Sequence, residues 1–178
     1  MRRFAIGSLL LAVFTVASTL TAADTDDTSG PRHFVAKLNG FQEVPPIFTN
    51  GEAKFEATLN EDKTIDFRLT WENLSAAPTV AHIHFGPRGV NGSPFIFFCG
   101  GGGKPDCPAD TSGSLEGTIT AHDVIAVPTQ GIKAGDIDAA IRILLRGAAY
   151  ANMHTPNFPS GEIRGQIKLR FQFTITSE

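Results

Sequence analysis

Between Gly51 and Leu59 the chain alternates with a period of two. Ala53, Phe55, Ala57 and Leu59 fall on one side, and Glu52, Lys54, Glu56 and Thr58 on the other. The alternation returns in Ile65, Phe67, Leu69 and Trp71 against Asp66, Arg68 and Thr70, and Asn60-Glu61-Asp62-Lys63 between the two runs reads as a hairpin turn. It runs longest near the C-terminus, where Ile163, Gly165, Ile167, Leu169, Phe171 and Phe173 alternate with Glu162, Arg164, Gln166, Lys168, Arg170 and Gln172. Successive side chains of a strand point to opposite faces, so each run predicts a strand with one buried and one wet face. Shorter strands are expected at 33–39, 79–85, 94–98, 114–120 and 148–154.

One segment follows a different period. Asp136 to Arg146 places Ile137, Ala140, Ile141, Leu144 and Leu145 on one helical stripe, with Asp136 as N-cap and Gly147 as the C-terminal stop. A short helix among about eight strands predicts an all-β fold, an antiparallel β-sandwich or barrel of Greek-key type with one crossover helix.

The first residues change the picture of where this domain works. Met1-Arg2-Arg3 precedes an uncharged run from Phe4 to Leu20, then the small residues Thr21-Ala22-Ala23 and the acidic Asp24, Asp26 and Asp27. A basic start, an apolar stretch and a small-residue cleavage site read as a secretory signal peptide over residues 1–23. An uncleaved anchor is the alternative, because the apolar run approaches spanning length. Residues 24–32 read as a flexible polar lead-in and 33–174 as the β domain, secreted or periplasmic and with no stable membrane insertion after cleavage. Loss of Arg2 and Arg3 moves the net charge from −3 to −5. An acidic domain argues against nucleic acid as a partner.

Cys99 and Cys107 flank the stretch Gly100-Gly101-Gly102-Gly103-Lys104-Pro105-Asp106. In an oxidising compartment this spacing suits a disulfide closing a small loop. Two isolated thiols make a poor zinc site, and the glycine run lacks the Ser/Thr and the strand–helix setting of a phosphate loop.

His82 and His84 sit at i and i+2 on an expected strand, so their imidazoles leave the same face while Ala81, Ile83 and Phe85 face the core. His154 closes another expected strand, and if the two strands neighbour each other three neutral imidazoles converge. Such a trio suits copper or zinc. The other reading is a solvated strand face whose histidines hydrogen-bond to Glu162 or Thr155. Glu162 and Arg164 share a strand face and can organise a polar site or support a histidine from behind. An ordinary wet face is their alternative. Glu43 stands before Val44-Pro45-Pro46, where it can cap a rigid loop; His33 and His122 read as structural or solvated.

Several stretches together resemble the CHRD domain, first described in chordin and found in bacterial exported proteins. They are Leu38-Asn39-Gly40-Phe41-Gln42-Glu43-Val44-Pro45-Pro46, Ala81-His82-Ile83-His84-Phe85-Gly86, Gly89-Val90-Asn91-Gly92, Gly147-Ala148-Ala149-Tyr150-Ala151-Asn152-Met153-His154-Thr155 and Gly161-Glu162-Ile163-Arg164-Gly165-Gln166-Ile167. The resemblance covers roughly residues 33–169 and implies an extracellular β domain. The stretch His82-Ile83-His84-Phe85-Gly86 is also similar to the copper-ligand strand of copper–zinc superoxide dismutases, which implies a superoxide-dismutase-like sandwich and an enzymatic alternative. The chain lacks the histidine-and-aspartate run for a second metal and a bridging imidazole, which favours binding over catalysis. A further alternative is a non-enzymatic module that binds an extracellular protein or matrix polymer through an exposed aromatic patch of Phe95, Phe97 and Phe98.

Overall fold

A computed structural model describes residues 31–170. The expected signal peptide, the lead-in through residue 30 and the alternating Phe171 and Phe173 lie outside the described residues. The elements run β1 (Arg32–Asn39), β2 (Glu52–Leu59), β3 (Ile65–Glu72), β4 (Val80–Phe85), β5 (Pro94–Cys99), β6 (Gly113–Ile119), α1 (Ile137–Leu145), β7 (Ala149–Thr155), β8 (Phe158–Gln166) and β9 (Lys168–Arg170). Every pairing is antiparallel, and the nine strands form one sheet in the order β5-β4-β7-β8-β1-β2-β3-β6, with β9 joined to β1. The sheet is nearly closed and barrel-like, an all-β fold with a single α-helix among the described residues.

The alternating runs do what their period requires. Ala53, Phe55 and Ala57 of β2 and Ile65, Phe67, Leu69 and Trp71 of β3 are buried, and the intervening charged residues of β3 are exposed. The hairpin between them closes through Asn60, whose N–H donates to the Thr64 carbonyl at 2.9 Å. Closure of the sheet is carried by aromatic rings. Phe98 of β5 lies 4.6 Å from Phe67 of β3 and 5.4 Å from Phe55 of β2, centroid to centroid, so the two ends of the strand order meet through the core. The exposed flank of β5 is covered by the segment after β6, where the Ile125 N–H donates to the Phe95 carbonyl at 2.9 Å.

The helix begins and ends where its caps direct. Asp136 Oδ1 accepts from the Ala139 N–H at 2.9 Å, and Gly147 takes the left-handed φ of 62° that terminates it. Its buried face is Ala140, Ile143 and Leu144, with Ile137, Ile141 and Leu145 partly buried, so the stripe is rotated toward Ile143 relative to the expected one.

Three expectations need correction. The C-terminal run is two strands: it is interrupted at Ile167, with β8 lying between β7 and β1 and β9 continuing along β1 in the same register. Its second face is also not wet throughout, because Glu162 and Arg164 are 0% and 2% exposed. Loops fold over that half of the sheet and turn its polar face into a second interior. Finally, Phe95, Phe97 and Phe98 form no exposed patch: Phe95 and Phe98 are buried and Phe97 is partly so. The large hydrophobics left in solvent among the described residues are Phe41, Phe48 and Val90.

Candidate metal centre

The covered polar face is built by register. His82 pairs with Asn152 across β4 and β7, His84 with Tyr150, and Val80 with His154. On the far side of β7, Asn152 pairs with Arg164 and Tyr150 with Gln166. Since paired residues share a face, His82, His84, Tyr150, Asn152, His154, Arg164 and Gln166 all stand on one side, and the period of two adds Glu162. The neighbouring strands that bring His154 to the histidine pair are therefore β4 and β7.

The three imidazoles converge. One ligand nitrogen from each of His82, His84 and His154 lies within 4.8 Å of the others. The His82 ring stands edge-on to both partners, at 4.4 Å from His84 and 4.8 Å from His154. Two of the tautomers are set by backbone carbonyls. His84 Nδ1 is 2.8 Å from the Gly92 carbonyl and His154 Nδ1 is 2.9 Å from the Pro159 carbonyl. A carbonyl only accepts, so each Nδ1 carries the hydrogen and each Nε2 keeps its lone pair.

Those lone pairs have no protein partner. Of five buried side-chain polar atoms without a hydrogen bond among the described residues, three are His82 Nδ1, His84 Nε2 and His154 Nε2. Buried polar atoms are almost always paired, so three orphans in one cluster mark a place shaped for something they would bind. An ion about 2.1 Å from each nitrogen would draw them together by roughly 1 Å, within reach of small side-chain rotations. The residues present fit a first-row transition metal.

Electrostatics keep the cage ready. Burial, reinforced by the two neighbouring imidazoles, pushes His82 down to about 2. Burial likewise takes His84 to about 4, against the raising effect of its bond to Gly92, and holds His154 below its usual value. All three are neutral at physiological pH, the form a metal needs.

Behind the cage lies a stack. The His84 ring is parallel to Tyr150 at 4.5 Å and 7°, and the Arg164 guanidinium sits 3.4 Å from the Tyr150 centroid. Arg164 also donates to Asn91 Oδ1 at 2.9 Å and to the carbonyls of Val90 and Pro87 at 2.8 and 3.2 Å. It thereby pins the loop that delivers the Gly92 carbonyl to His84. A side chain at Gly92 has no room, since its Cβ would fall 1.7 Å from the Phe85 carbonyl oxygen.

Glu162 is placed elsewhere. Its oxygens accept from Thr49 Oγ1, Ser75 N–H, Ser75 Oγ and Thr155 Oγ1 at 2.6–2.9 Å, which ties β8 to two covering loops. Burial pushes its carboxyl up, but these bonds outweigh it and hold the group below the ordinary range. The side chain of Glu43 is buried and accepts from Asn152 Nδ2 at 2.6 Å, and burial raises it to about 7. His33 contacts Thr58 Oγ1 at 3.0 Å, and His122 is exposed. Cys99 and Cys107 form the expected disulfide. Sequence reasoning gave Tyr150, Asn152 and Gly92 no part in the site and put Phe97 in an exposed aromatic patch instead. The first two were readable, because Tyr150, Asn152 and His154 alternate as His82 and His84 do.

Compared with known protein families, the sequence matches the CHRD domain over residues 34–167. No curated protein and no solved structure matches the chain.

Proposed function

The chain belongs to the CHRD domain family, and on that premise we propose that it is an exported protein that binds a transition metal, copper or zinc, through His82, His84 and His154. The observation that carries this reading is the meeting of three imidazoles that each offer a ligand nitrogen within 4.8 Å of the others and each hold a buried, unpartnered ring nitrogen. Three neutral nitrogen donors without a thiolate suit copper or zinc, either of which would supply a Lewis-acidic centre with a position open to a further ligand. This chain's own residues do the preparing: the Gly92 and Pro159 carbonyls orient the His84 and His154 rings, and Tyr150, itself covered by Arg164, backs the His84 ring.

Titration of tag-free mature protein with Cu(I), Cu(II) and Zn(II), beside His82→Ala and His154→Ala, tests it. Wild type binds one equivalent, and each variant weakens binding by at least roughly a hundredfold, more than is typical for losing a group that only supports a ligand. Absence of tight binding by wild type, or equal binding by the variants, sinks the proposal. Superoxide turnover by the copper-loaded protein is the measurement that would extend binding to a dismutase-like enzyme. Export rests on the pattern of residues 1–23, and the mature N-terminus read by mass spectrometry is expected at Asp24. No helix among the described residues is long and apolar enough to cross a membrane.

A second reading is supported by Phe41 and Phe48, 67% and 87% exposed and edge-on at 6.2 Å. A pair of rings left in water favours a module that binds an extracellular protein or matrix polymer. Replacing both with alanine then releases the protein from its host's matrix fraction while metal binding persists; unchanged retention removes this reading.

A further inference from the structure

Phe97 is the cross-strand partner of His82. Its ring meets the imidazole edge-on at 5.1 Å and 87°, closing the side of the cage that faces β5. On its other side the ring is held by the disulfide loop. A Cβ at Gly101 would lie 2.6 Å from Phe97 Cε1, and one at Gly102 would lie 2.6 Å from Cδ2. Two bare glycine backbones therefore press directly on the ring, where any side chain would displace it.

The loop is fixed rather than slack. The disulfide joins its ends, the Gly100 N–H donates to the Pro105 carbonyl at 2.7 Å, and the Lys104 N–H donates to Gly101 at 3.0 Å. Gly102 has a left-handed φ of 59°, and Lys104 Nζ reaches Asp123 Oδ1 at 2.6 Å, both groups largely buried. Asp123 is in turn bonded by the Thr120 N–H at 2.7 Å. A loop serving only as a tether needs neither the anchoring nor the glycines under the ring.

We propose that Phe97, clamped by the disulfide loop, is the wall that shields His82 and so sets the rate at which metal enters and leaves the cage. The exchange role rests on the metal-binding reading above, whereas the shield is a property of the metal-free protein, so the two are tested separately. In metal-free protein, acylation of His82 by an imidazole-directed reagent is followed by peptide mass spectrometry. Wild type is compared with Phe97→Ala, Phe97→Tyr, Gly101→Ala, and wild type whose disulfide has been reduced by a dithiol, which is oxidised to its own cyclic disulfide. In metal-loaded protein, release to a chelator is timed for the same set.

Phe97→Ala and the reduced protein are expected to react and release at least ten times faster, and Phe97→Tyr to match wild type. Gly101→Ala is the safeguard against misfolding, because its methyl meets the movable edge of a side chain; it is expected to fall between. Wild-type acylation rates in folded Phe97→Ala and Gly101→Ala would overturn the proposal. Faster acylation with unchanged chelator release would overturn the exchange role alone. Faster acylation with no metal bound by any form would remove the metal reading and the exchange role together, leaving the shield.

Discussion

His82 carries a titratable ring into a place where its charged form is penalised by burial and by two like neighbours. An ordinary histidine near 6.5 loses most of its metal affinity when pH falls to 5.5, because the proton competes for the same lone pair. Here His82 lies at about 2 and His84 at about 4, so competition at pH 5.5 is left to His154, whose proton burial also makes easier to displace than usual. Metal affinity is expected to fall by less than tenfold between pH 7.5 and 5.5, where three unperturbed histidines would lose about a thousandfold. Competition titrations at both pH values check this. Glu43 titrates in the opposite sense. Its folded pKa of about 7 exceeds the unfolded 4.5, so the folded state holds the extra proton between these values and stability drains as pH rises from 4.5 to 7. Glu43→Gln keeps an acceptor for Asn152 and removes the buried charge. Relative to wild type, the variant should gain on the order of 3 kcal/mol between pH 4.5 and 8 by urea unfolding. The histidine pair was legible from alternation alone. Glu43 was not, since Asn152 is 109 residues away in sequence and only the fold makes them neighbours.

At the scale of elements, periodicity foretold strands and misjudged their surroundings. Ile163 and its alternating partners identify β8, but the pattern of Glu162, Arg164 and Gln166 reads as a wet face whether water or a loop lies over it. What decides is the loop packing, which rests on long-range bonds such as those from Arg164 to Pro87, Val90 and Asn91. The same limit explains why the long C-terminal run gave no sign of its interruption at Ile167: both halves alternate alike and both lie along β1 in one register, and what ends there is the pairing with β7. Arg164→Met tests the account of the covering loop. It removes three hydrogen bonds from a charged donor, each worth about 1.5–3 kcal/mol net, while its flexible apolar side chain retains contact with Tyr150. A loss of at least about 4 kcal/mol is expected, together with faster hydrogen exchange at Val90 and Asn91. Unchanged exchange there would show that the loop is held by something other than Arg164.

Across the whole molecule, the cage joins parts of the chain that folding must bring together from afar. His82 and His84 come from β4, His154 from β7, and the segment between them includes β5, β6 and the helix. Their meeting is the same event as the pairing of β4 with β7, which sets Val80 opposite His154 and His82 opposite Asn152. An ion bound by all three residues is therefore bound by the folded state and scarcely by the unfolded one. Binding energy then appears as stability by mass action, about 2.7 kcal/mol when free metal is a hundred times its dissociation constant. For a domain of this size each kcal/mol moves the midpoint by roughly 2–4 °C, so saturating metal should raise Tm by about 5–10 °C. His154→Ala leaves two ligands on a single strand, which need no long-range pairing to come together. The shift should then collapse to a degree or two even where some metal still binds. Scanning calorimetry of both proteins, with and without copper or zinc, separates a site that bridges β4 and β7 from one that merely adheres to the His82–His84 pair. An equal shift in both would place the ion on β4 alone.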